Sequence, residues 1–342
     1  MSLDVINLFG ISTVHNDSWI EGGGEEGLVS VVVPTYNRAD FLVEAAQSVF
    51  DQTYRPIELL IADDGSTDNT ASVVEQLEKQ VKEMPGLTIR YLYQSSRGAP
   101  AARNLGLLAS QGAFIHHLDS DDVLAPRAIE AKVQALERTG AAFAWSPVKP
   151  FENETLLQFE NDGESASETT VVTCPTQASH PEAILFRRKA CRAVGPWRES
   201  LERMQDWEYA FRIAGLNMKG AMIKTALYGS RKHEQGSIAD VLHQPEGISI
   251  DLKSLEAIED VLAKTPRPCS RMVYTTFWLY LKALRRALKL GTDEEIRQCF
   301  RGLRRNSQTW IRTVRVEVVR GIFELLGRSV PRFLIGAYIR RK

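Results

Sequence analysis

The stretch that decides the fold is LVSVVVPTYNRADFL, residues 28–42. Its first six residues are β-branched or apolar nearly throughout, which predicts a short strand over 28–33 buried on both faces, as in a parallel sheet. Pro34 is expected to end this strand, and Asn37 is expected to cap a helix whose apolar residues recur at helical spacing. A buried strand that leads through a polar turn into an amphipathic helix is the building unit of an α/β fold.

The same unit recurs along the chain. Further strands are predicted over 57–62, 89–93, 113–118 and 142–146, and helices over 70–82, 100–110, 126–139, 187–194 and 206–214. The polar residues 151–180 are expected to form a loop or an excursion of short strands, and the chain reads as helical from 250 onward. Strands that alternate with helices predict a wound, mostly parallel α/β sheet flanked by helices, followed by a C-terminal α-helical region.

The charge is unevenly spread along a chain of otherwise ordinary globular composition. The 342 residues have a formal net charge of −1, which gives no sign of nucleic-acid binding. Residues 271–342, however, hold 17 Lys and Arg against 5 Asp and Glu, a net charge of +12 that leaves −13 for the first 270 residues. Such a split predicts that the C-terminal segment meets an anionic surface.

Several classes of protein are excluded by what the sequence lacks. None of the four cysteines lies in a CxxC pair or near a suitable histidine, so we expect buried thiols in a reducing compartment and no zinc site: Cys174, Cys191, Cys269 and Cys299. No apolar run reaches the ~18–20 residues that a membrane span needs. No basic segment followed by an apolar one marks a signal peptide. The expected location is cytoplasmic, with peripheral attachment to the inner face of the membrane left open.

Polar or acidic residues follow three predicted strands at the point where each strand ends: PTYN (34–37), DDGS (63–66) and DSDD (119–122). In open α/β sheets, ligands bind beyond the carboxyl ends of the strands. Carboxylates gathered at one edge repel each other unless a cation lies among them, and Mg²⁺ or Mn²⁺ shares such oxygen ligands with substrate phosphates. The acids therefore predict a metal–diphosphate site. For Asp63, a role as turn former or helix cap is an equal alternative.

Four segments in this order resemble the inverting glycosyltransferase family 2, which has the GT-A fold: VSVVVPTYNRADFL (29–42), ELLIADDGSTDNT (58–70), GAPAARNLGLLASQGAFIHHLDSDDVLAP (98–126) and MQDWEYAFR (204–212). The resemblance covers about residues 29–237. It implies a GT-A catalytic domain of the nucleotide-diphospho-sugar transferase, Rossmann-like type over 28–240. An N-terminal extension or linker over 1–27 would precede it, and a basic helical region over 250–342 would follow.

The resemblance also implies which residues bind the nucleotide-sugar donor. Thr35 and Tyr36 match positions in the nucleotide pocket, where the tyrosine ring stacks near the base. Asp64 matches the carboxylate that reads the base edge of uridine-type donors, and Arg103 lies beside the nucleotide. Asp119 is the first acid of the family's DxD motif and contacts the nucleotide-sugar.

A Mn²⁺ or Mg²⁺ ion is implied at the second acid of that motif, Asp121, which holds the metal on the diphosphate. His233 matches a position where some members place a histidine on the metal or the diphosphate, although a surface loop histidine is nearly as good an interpretation. His116 and His117 lie within a predicted strand. Because side chains alternate along a strand, one of them is expected to point into the core and the other outward, neither as a metal ligand.

Asp206 resembles the catalytic base of the family, in a motif usually written ED, and Gln205 replaces the acid that normally precedes it. A base at this position removes the proton of the acceptor hydroxyl as that oxygen attacks C1 of the sugar. The metal meanwhile neutralises charge that develops on the diphosphate. Attack opposite the leaving group inverts the anomeric carbon. A helix N-cap is the alternative role for Asp206, and the two roles are compatible.

The C-terminal helices admit two interpretations. An aromatic run, Phe277-Trp278-Leu279-Tyr280-Leu281, precedes a series of lysines and arginines, and basic amphipathic helices of this kind lie on anionic membranes. Alternatively, the helices form a bundle that packs on the catalytic domain and leaves a basic face in solvent.

The sequence therefore predicts an inverting glycosyltransferase with a nucleotide-diphosphate donor, UDP-linked by the resemblance at Asp64, and a saccharide or lipid-linked saccharide acceptor. Two alternatives stay open. A sugar nucleotidyltransferase has a related sheet, but it is expected to carry a glycine-rich phosphate loop where this chain has PTYNR. The second alternative is an inactive scaffold protein that binds nucleotide-sugars. The intact DxD motif and Asp206 count against this alternative.

Overall fold

The computed structural model describes residues 20, 22–152, 169–172, 180–232, 246–266 and 268–307. Its strands are β1 (Glu25–Thr35), β2 (Ile57–Asp63), β3 (Leu87–Tyr93), β4 (Gly112–His117), β5 (Val123–Leu124), β6 (Phe143–Trp145), β7 (Val148–Phe151), β8 (Thr169–Val172), β9 (Ile184–Arg187), β10 (Gly220–Ile223) and β11 (Tyr228–Arg231). Its α-helices are α1 (Ala39–Phe50), α2 (Thr70–Val81), α3 (Ala99–Ala109), α4 (Ala128–Thr139), α5 (Arg188–Val194), α6 (Gln205–Gly215), α7 (Glu246–Lys264), α8 (Ser270–Leu290) and α9 (Asp293–Ser307).

The main sheet of the described residues has eight strands in the order β3-β2-β1-β4-β9-β6-β10-β8. The first four run parallel, as does the pair of β6 and β10, whereas β9 and β8 are antiparallel to their neighbours. This arrangement confirms the expected mostly parallel sheet. Because β1, β2 and β4 are parallel, their carboxyl ends meet at one edge, where Thr35 is in register with Asp63. A second sheet has the strand order β5-β11-β7. It pairs β5, which follows β4 closely in the sequence, with β11.

Helices cover both faces of the main sheet. One apolar cluster joins β1 and β2 to α1, α2 and α4, and another joins β4, β6 and β9 to α5 and α6. Successive residues alternate between the clusters, since Ala144 and Leu185 belong to the first while Phe143 and Phe186 belong to the second. The strand residues are therefore buried on both sides, as the apolar run 28–33 predicted.

The C-terminal helices α7, α8 and α9 form a bundle with its own apolar cluster, which includes Phe211 and Ala214 of α6. Of the aromatic run in α8, Phe277 and Tyr280 are buried in this cluster. Over the described part of residues 246–307, the structure thus shows a helical bundle that packs on the sheet domain through α6. Among the helices that the structure describes, none is long and apolar enough to span a membrane.

Three features around β1 differ from the prediction. The strand begins at Glu25, inside the segment expected to be a linker, and it continues through Pro34 to Thr35. Asn37 does not cap α1, and its carboxamide oxygen instead accepts the backbone N–H of Thr67 at 2.7 Å. The N–H of Ala39 in the first turn of α1 donates to Asp68 at 3.2 Å, so the acceptor comes from a loop 29 residues further along the chain.

The expectation that one of the two strand histidines points outward is wrong, because both are fully buried. They do point to opposite faces. His116 Nε2 lies 2.9 Å from Nζ of the buried Lys132 on α4, and Trp197 Nε1 donates to His117 Nε2 at 3.4 Å. Burial and the nearby Arg103 lower the pKa of His117 to about 3, so this ring stays neutral. Both histidines are therefore core residues, because the sheet is covered on each of its two faces.

The cysteines follow the expectation in part. Cys191 and Cys299 are free and buried, and burial raises the pKa of Cys191 to about 11. Cys269 is disulfide-bonded, so the prediction of a plain thiol is wrong at this position. Cys174 lies outside the described residues.

Candidate active site

The carboxyl ends of β1 and β2 are tied together by the polar residues that follow them. Asp64 N–H donates to the carbonyl oxygen of Thr35 at 2.9 Å. Asp63 accepts the N–H of Ser66 at 2.7 Å and the hydroxyl of Tyr91 at 2.5 Å, which is the turn-forming role considered for it. Tyr36 projects from this edge with half of its surface exposed. The buried hydroxyl of Thr35 has no hydrogen-bond partner within the part of the chain described.

Asp64 is buried, and its carboxylate organises the loop that leads into α3. One carboxylate oxygen accepts from Gln94 Nε2 at 2.6 Å and from the N–H of Arg97 at 2.8 Å, and the other accepts from the N–H of Gly98 at 2.7 Å. Gly98 has φ of 95°, a conformation that favours glycine. Asp64 therefore shapes the wall of the site through residues 94–98, and its contact with a uracil edge stays a prediction.

Arg103 on α3 connects the end of β4 with the start of α6. Its Nη2 lies 2.7 Å from Asp119, its Nη1 donates to Gln205 at 3.0 Å, and its guanidinium stacks 4.6 Å from the ring centroid of Trp197. Burial alone would lower the pKa of Arg103, but the carboxylates of Asp119, Asp206 and Glu182 raise it above its ordinary value. The buried guanidinium is thus charged, and it contacts both Asp119 at the end of β4 and Gln205 at the start of α6.

The loop that follows β4 brings three carboxylates together. Asp119, Asp121 and Asp122 each offer an oxygen, and these oxygens lie within 4.8 Å of one another. Asp121 pairs with Nη1 of Arg38 at 2.9 Å. Asp122 is occupied on both oxygens, by the hydroxyl of Tyr228 at 2.7 Å and by the N–H of Arg231 at 2.8 Å. Asp122 therefore fastens the loop to β11, which leaves Asp119 and Asp121 as the carboxylates that face the site.

These oxygens fit a hard divalent cation. Mg²⁺ and Mn²⁺ take carboxylate oxygens and complete their shell with water and substrate phosphate, so two or three carboxylates at this spacing form a suitable protein contribution. Burial, together with the neighbouring Asp119 and Asp121, raises the pKa of Asp122 well above its usual range. A cation would offset that mutual repulsion. His233, the other predicted ligand, lies outside the described residues.

Asp206 lies in the first turn of α6, half-buried, and no side chain or backbone group of the described residues hydrogen-bonds to its carboxylate. The position of the helix start is set by the residues that precede Asp206. Met204, which precedes α6, adopts φ of 54°, and this left-handed conformation is costly for a residue other than glycine. α7 holds the chain there, since Ser254 donates to the carbonyl oxygen of Arg203 at 2.7 Å and Asp251 pairs with Arg203 at 3.2 Å.

Glu182 is a site residue that the sequence motifs did not indicate. It belongs to a short 3₁₀ turn, Pro181–Ala183, just before β9, and only 4% of its surface is exposed. Its Oε1 lies 3.9 Å from Arg103 and has no hydrogen-bond partner among the described residues. Burial, and then the charges of Asp206 and Asp119, raise the pKa of Glu182 well above its usual range. A lone glutamate in a Pro-Glu-Ala turn carries no sequence signal.

The structure thus gathers the predicted residues at the carboxyl edge of the sheet in two groups. Thr35, Tyr36 and Asp64 border one side, and Asp119 and Asp121 follow β4 beside them. Arg103 connects the second group to the α6 turn that carries Asp206. An arrangement of this kind offers an aromatic ring for a nucleobase, carboxylates for a cation and, in the first turn of α6, a carboxylate with no hydrogen-bond partner among the described residues.

Comparisons with known proteins agree with this architecture. The sequence profile of Glycosyl transferase family 2 matches residues 30–195. The chain is 36% identical over 115 residues to the glycosyltransferase GlyG of Streptococcus pneumoniae, which is 33% of this chain and 36% of that protein. It is also 36% identical over 119 residues to the putative teichuronic acid biosynthesis glycosyltransferase TuaG of Bacillus subtilis, 35% of this chain and 46% of that protein. The matches thus span less than half of these relatives.

Solved structures show the same fold over a longer stretch. Residues 1–349 of S. aureus TarS in complex with UDP-GlcNAc superpose with a TM-score of 0.58 at 20% identity, covering 82% of this chain and 80% of that one. The mannosyltransferase PcManGT from Pyrobaculum calidifontis, in complex with GDP-Man and Mn²⁺, gives 0.55 at 17% identity, covering 88% and 81%. Residues 30–195 of the chain thus form a glycosyl transferase family 2 domain, and the shared architecture is the GT-A fold.

Proposed function

We propose that this chain is a metal-dependent, inverting glycosyltransferase that moves a sugar from a UDP-sugar to a hydroxyl of a saccharide or lipid-linked saccharide. One observation carries the proposal. Asp119, which together with Asp121 could hold a cation on a diphosphate, is connected by Arg103 to the turn that carries Asp206, whose carboxylate has no hydrogen-bond partner among the described residues. The similarity to TuaG and the TarS complex with UDP-GlcNAc support polysaccharide or glycoconjugate synthesis and a UDP-linked donor.

In this proposal, the donor lies along the carboxyl edge of β1, β2 and β4. The exposed ring of Tyr36 stacks near the base, Thr35 and the loop shaped by Asp64 border the nucleoside, and Asp119 and Arg103 hold the nucleotide-sugar. Asp121 binds Mn²⁺ or Mg²⁺, with His233 as a further ligand. When bound, the cation supplies positive charge that stabilises the leaving diphosphate.

Asp206 is the proposed base. A carboxylate that accepts no hydrogen bond from the described residues can accept one from an acceptor hydroxyl, which it orients and deprotonates as the oxygen attacks C1. The first turn of α6 places this carboxylate at the positive end of the helix dipole, and the charged guanidinium of Arg103 lies nearby. Because the acceptor oxygen attacks C1 on the side opposite the leaving diphosphate, the product has inverted configuration.

The proposed domains are a catalytic unit over 28–240 after an extension over 1–27, and a helical region over 250–342. The third partner that we propose is an anionic membrane surface, which the basic C-terminal helices would meet at the inner face of the membrane.

A donor panel tests the proposed activity most directly. The full chain is incubated with UDP-, GDP- and dTDP-sugars, with Mn²⁺ or with EDTA, and release of nucleoside diphosphate is measured. We expect metal-dependent release of UDP from one UDP-sugar, and Asp121→Ala should weaken metal-dependent donor binding. Release of pyrophosphate from a nucleoside triphosphate and a sugar phosphate would instead identify a nucleotidyltransferase, and donor binding without any turnover would identify a scaffold.

A further inference from the structure

The helix α8 carries an unusual solvent face. Its 21 residues include five basic residues and no acidic one. Six residues at spacings of three, four, seven or eight positions fall on the side away from the bundle core, and we call them the outer face of α8: Arg271, Tyr274, Lys282, Arg285, Leu288 and Lys289. Each is exposed, whereas the opposite side of the helix is buried against α7 and α9.

Within the part of the chain that the structure describes, the cations of the outer face have no carboxylate partner, unlike the basic residues near them. On α9, Arg297 and Arg301 both pair with Glu294, at 3.0 and 2.7 Å, and Arg305 pairs with Glu259 at 2.5 Å. The fifth basic residue of α8, Arg286, pairs with the buried Asp251. No carboxylate of residues 20–307, as far as the structure describes them, pairs with the four cations of the outer face. Four unneutralised positive charges therefore lie along one side of a single helix.

Apolar side chains accompany these charges. Tyr274 and Leu288 are each 38% exposed, and Leu290, at the end of the helix, is 45% exposed. The ring of Tyr274 lies edge-on to that of Trp278, with 5.9 Å between centroids. Cations with exposed leucine and tyrosine suit the boundary between lipid headgroups and acyl chains, where the charges meet phosphate and the apolar groups enter the bilayer. An anionic polysaccharide would match the charges but would leave the leucines in water.

We propose that the outer face of α8 is a docking surface for a bilayer that contains anionic phospholipid. The inference rests on the membrane partner proposed above but not on the transfer reaction, and it assigns the contact to the six residues of the outer face rather than to the whole basic C-terminal segment. The helix would lie along the surface, because a face about 27 Å long at 1.5 Å per residue spans several headgroups. Each cation near such a surface contributes about fivefold to binding, so three charge reversals should weaken it at least about a hundredfold.

Vesicle flotation tests the proposal with the full chain and without nucleotide or acceptor. The wild-type chain should float with vesicles of phosphatidylglycerol and phosphatidylcholine at low salt, stay behind with phosphatidylcholine alone, and be released by high salt. The variant Lys282→Glu/Arg285→Glu/Lys289→Glu should lose binding. A matched control, Lys79→Glu/Lys82→Glu/Lys189→Glu, makes the same charge change at exposed sites on α2, α5 and the residue after α2, and it should bind like wild type.

Two further variants keep the result clear. Lys282→Gln/Arg285→Gln/Lys289→Gln removes the charges without adding repulsion, and circular dichroism melting shows whether each variant folds. Leu288→Ser should weaken flotation while leaving its salt dependence unchanged. The proposal is overturned if wild type does not float with anionic vesicles, or if folded charge variants float as well as the matched control. Donor turnover, measured separately in solution, decides the transfer reaction independently of either outcome.

Discussion

Replacing Asp206 by asparagine should separate catalysis from stability. If Asp206 is the base, its loss removes proton abstraction in the transition state, which is worth about 10²- to 10⁴-fold in kcat. This corresponds to about 3–5 kcal/mol of activation free energy. The substitution should cost little stability, because no described group hydrogen-bonds to this carboxylate. The lost interaction with the N-terminus of α6 is worth about 0.3–1 kcal/mol, and relief of repulsion from Glu182 offsets part of it.

A matched control lies two residues further along the same helix. Glu208 is fully buried and pairs with Arg212 at 2.9 Å and with Arg198 at 3.1 Å. Removing one partner of a buried ion pair costs about 3–5 kcal/mol, so Glu208→Gln should lower the unfolding free energy by this amount. The folded fraction of Glu208→Gln should keep kcat within about tenfold of wild type, since Glu208 is not at the reacting centre.

The assays are urea unfolding for stability, UDP titration for donor binding, and initial rates of transfer with the donor that the panel identifies. We expect Asp206→Asn to bind UDP like wild type, to unfold at nearly the same urea concentration and to lose at least about a hundredfold in kcat. Transfer within about tenfold of wild type would show that another group is the base. A loss of stability of more than about 2 kcal/mol would show that Asp206 is instead a structural helix residue.

Three further predictions concern the support of the site. Burial lowers the pKa of Lys132 to about 7, so the unfolded chain holds a proton that the folded chain has lost above that pH. The unfolding free energy of wild type relative to Lys132→Met should therefore rise with pH between about 7 and 10, by up to about 1.4 kcal/mol per unit, and urea unfolding across this range checks it. In Gly106→Ala the new Cβ would lie 2.4 Å from Val32, which should cost about 1–3 kcal/mol of stability and be relieved in the double variant with Val32→Ala. Asp251→Asn should lower the unfolding free energy by about 3 kcal/mol and reduce kcat more than donor affinity, because it leaves two arginines unpaired and loosens the chain that leads into α6.

The strands and helices were predictable where the sequence pattern is local. The apolar run 28–33 identified β1 because a strand buried on both faces needs no polar alternation. The cap of α1 was not predictable, because Asp68 supplies it from a separate loop while Asn37 is used to hold that loop. Local capping rules cannot choose between a near and a distant acceptor. The strand boundaries at Glu25 and Thr35 were missed for a related reason, since pairing with β4 and β2 extends β1 beyond its apolar core.

The positions of His116 and His117 show where alternation misleads. Side chains alternate between the faces of a strand as expected, but solvent lies on neither face here, since α4 covers one and Trp197 the other. At the site, the strand-end acids could be found from the sequence because parallel strands bring their carboxyl ends to one edge. Glu182 could not, because it reaches the same place through the antiparallel strand β9, which inserts between β4 and β6.

The replacement of an acid by Gln205 becomes understandable from the charges around Arg103. This guanidinium already faces the carboxylates of Asp119, Asp206 and Glu182. A fourth carboxylate at position 205 would add electrostatic repulsion next to the carboxylate of Asp206. The carboxamide of Gln205 accepts the same hydrogen bond from Arg103 without adding charge, and its amide donates to the carbonyl oxygen of Glu202 at 3.1 Å. The turn before α6 is therefore held in place by a neutral group, while a carboxylate, that of Glu182, lies 3.9 Å from the other terminal nitrogen of the arginine.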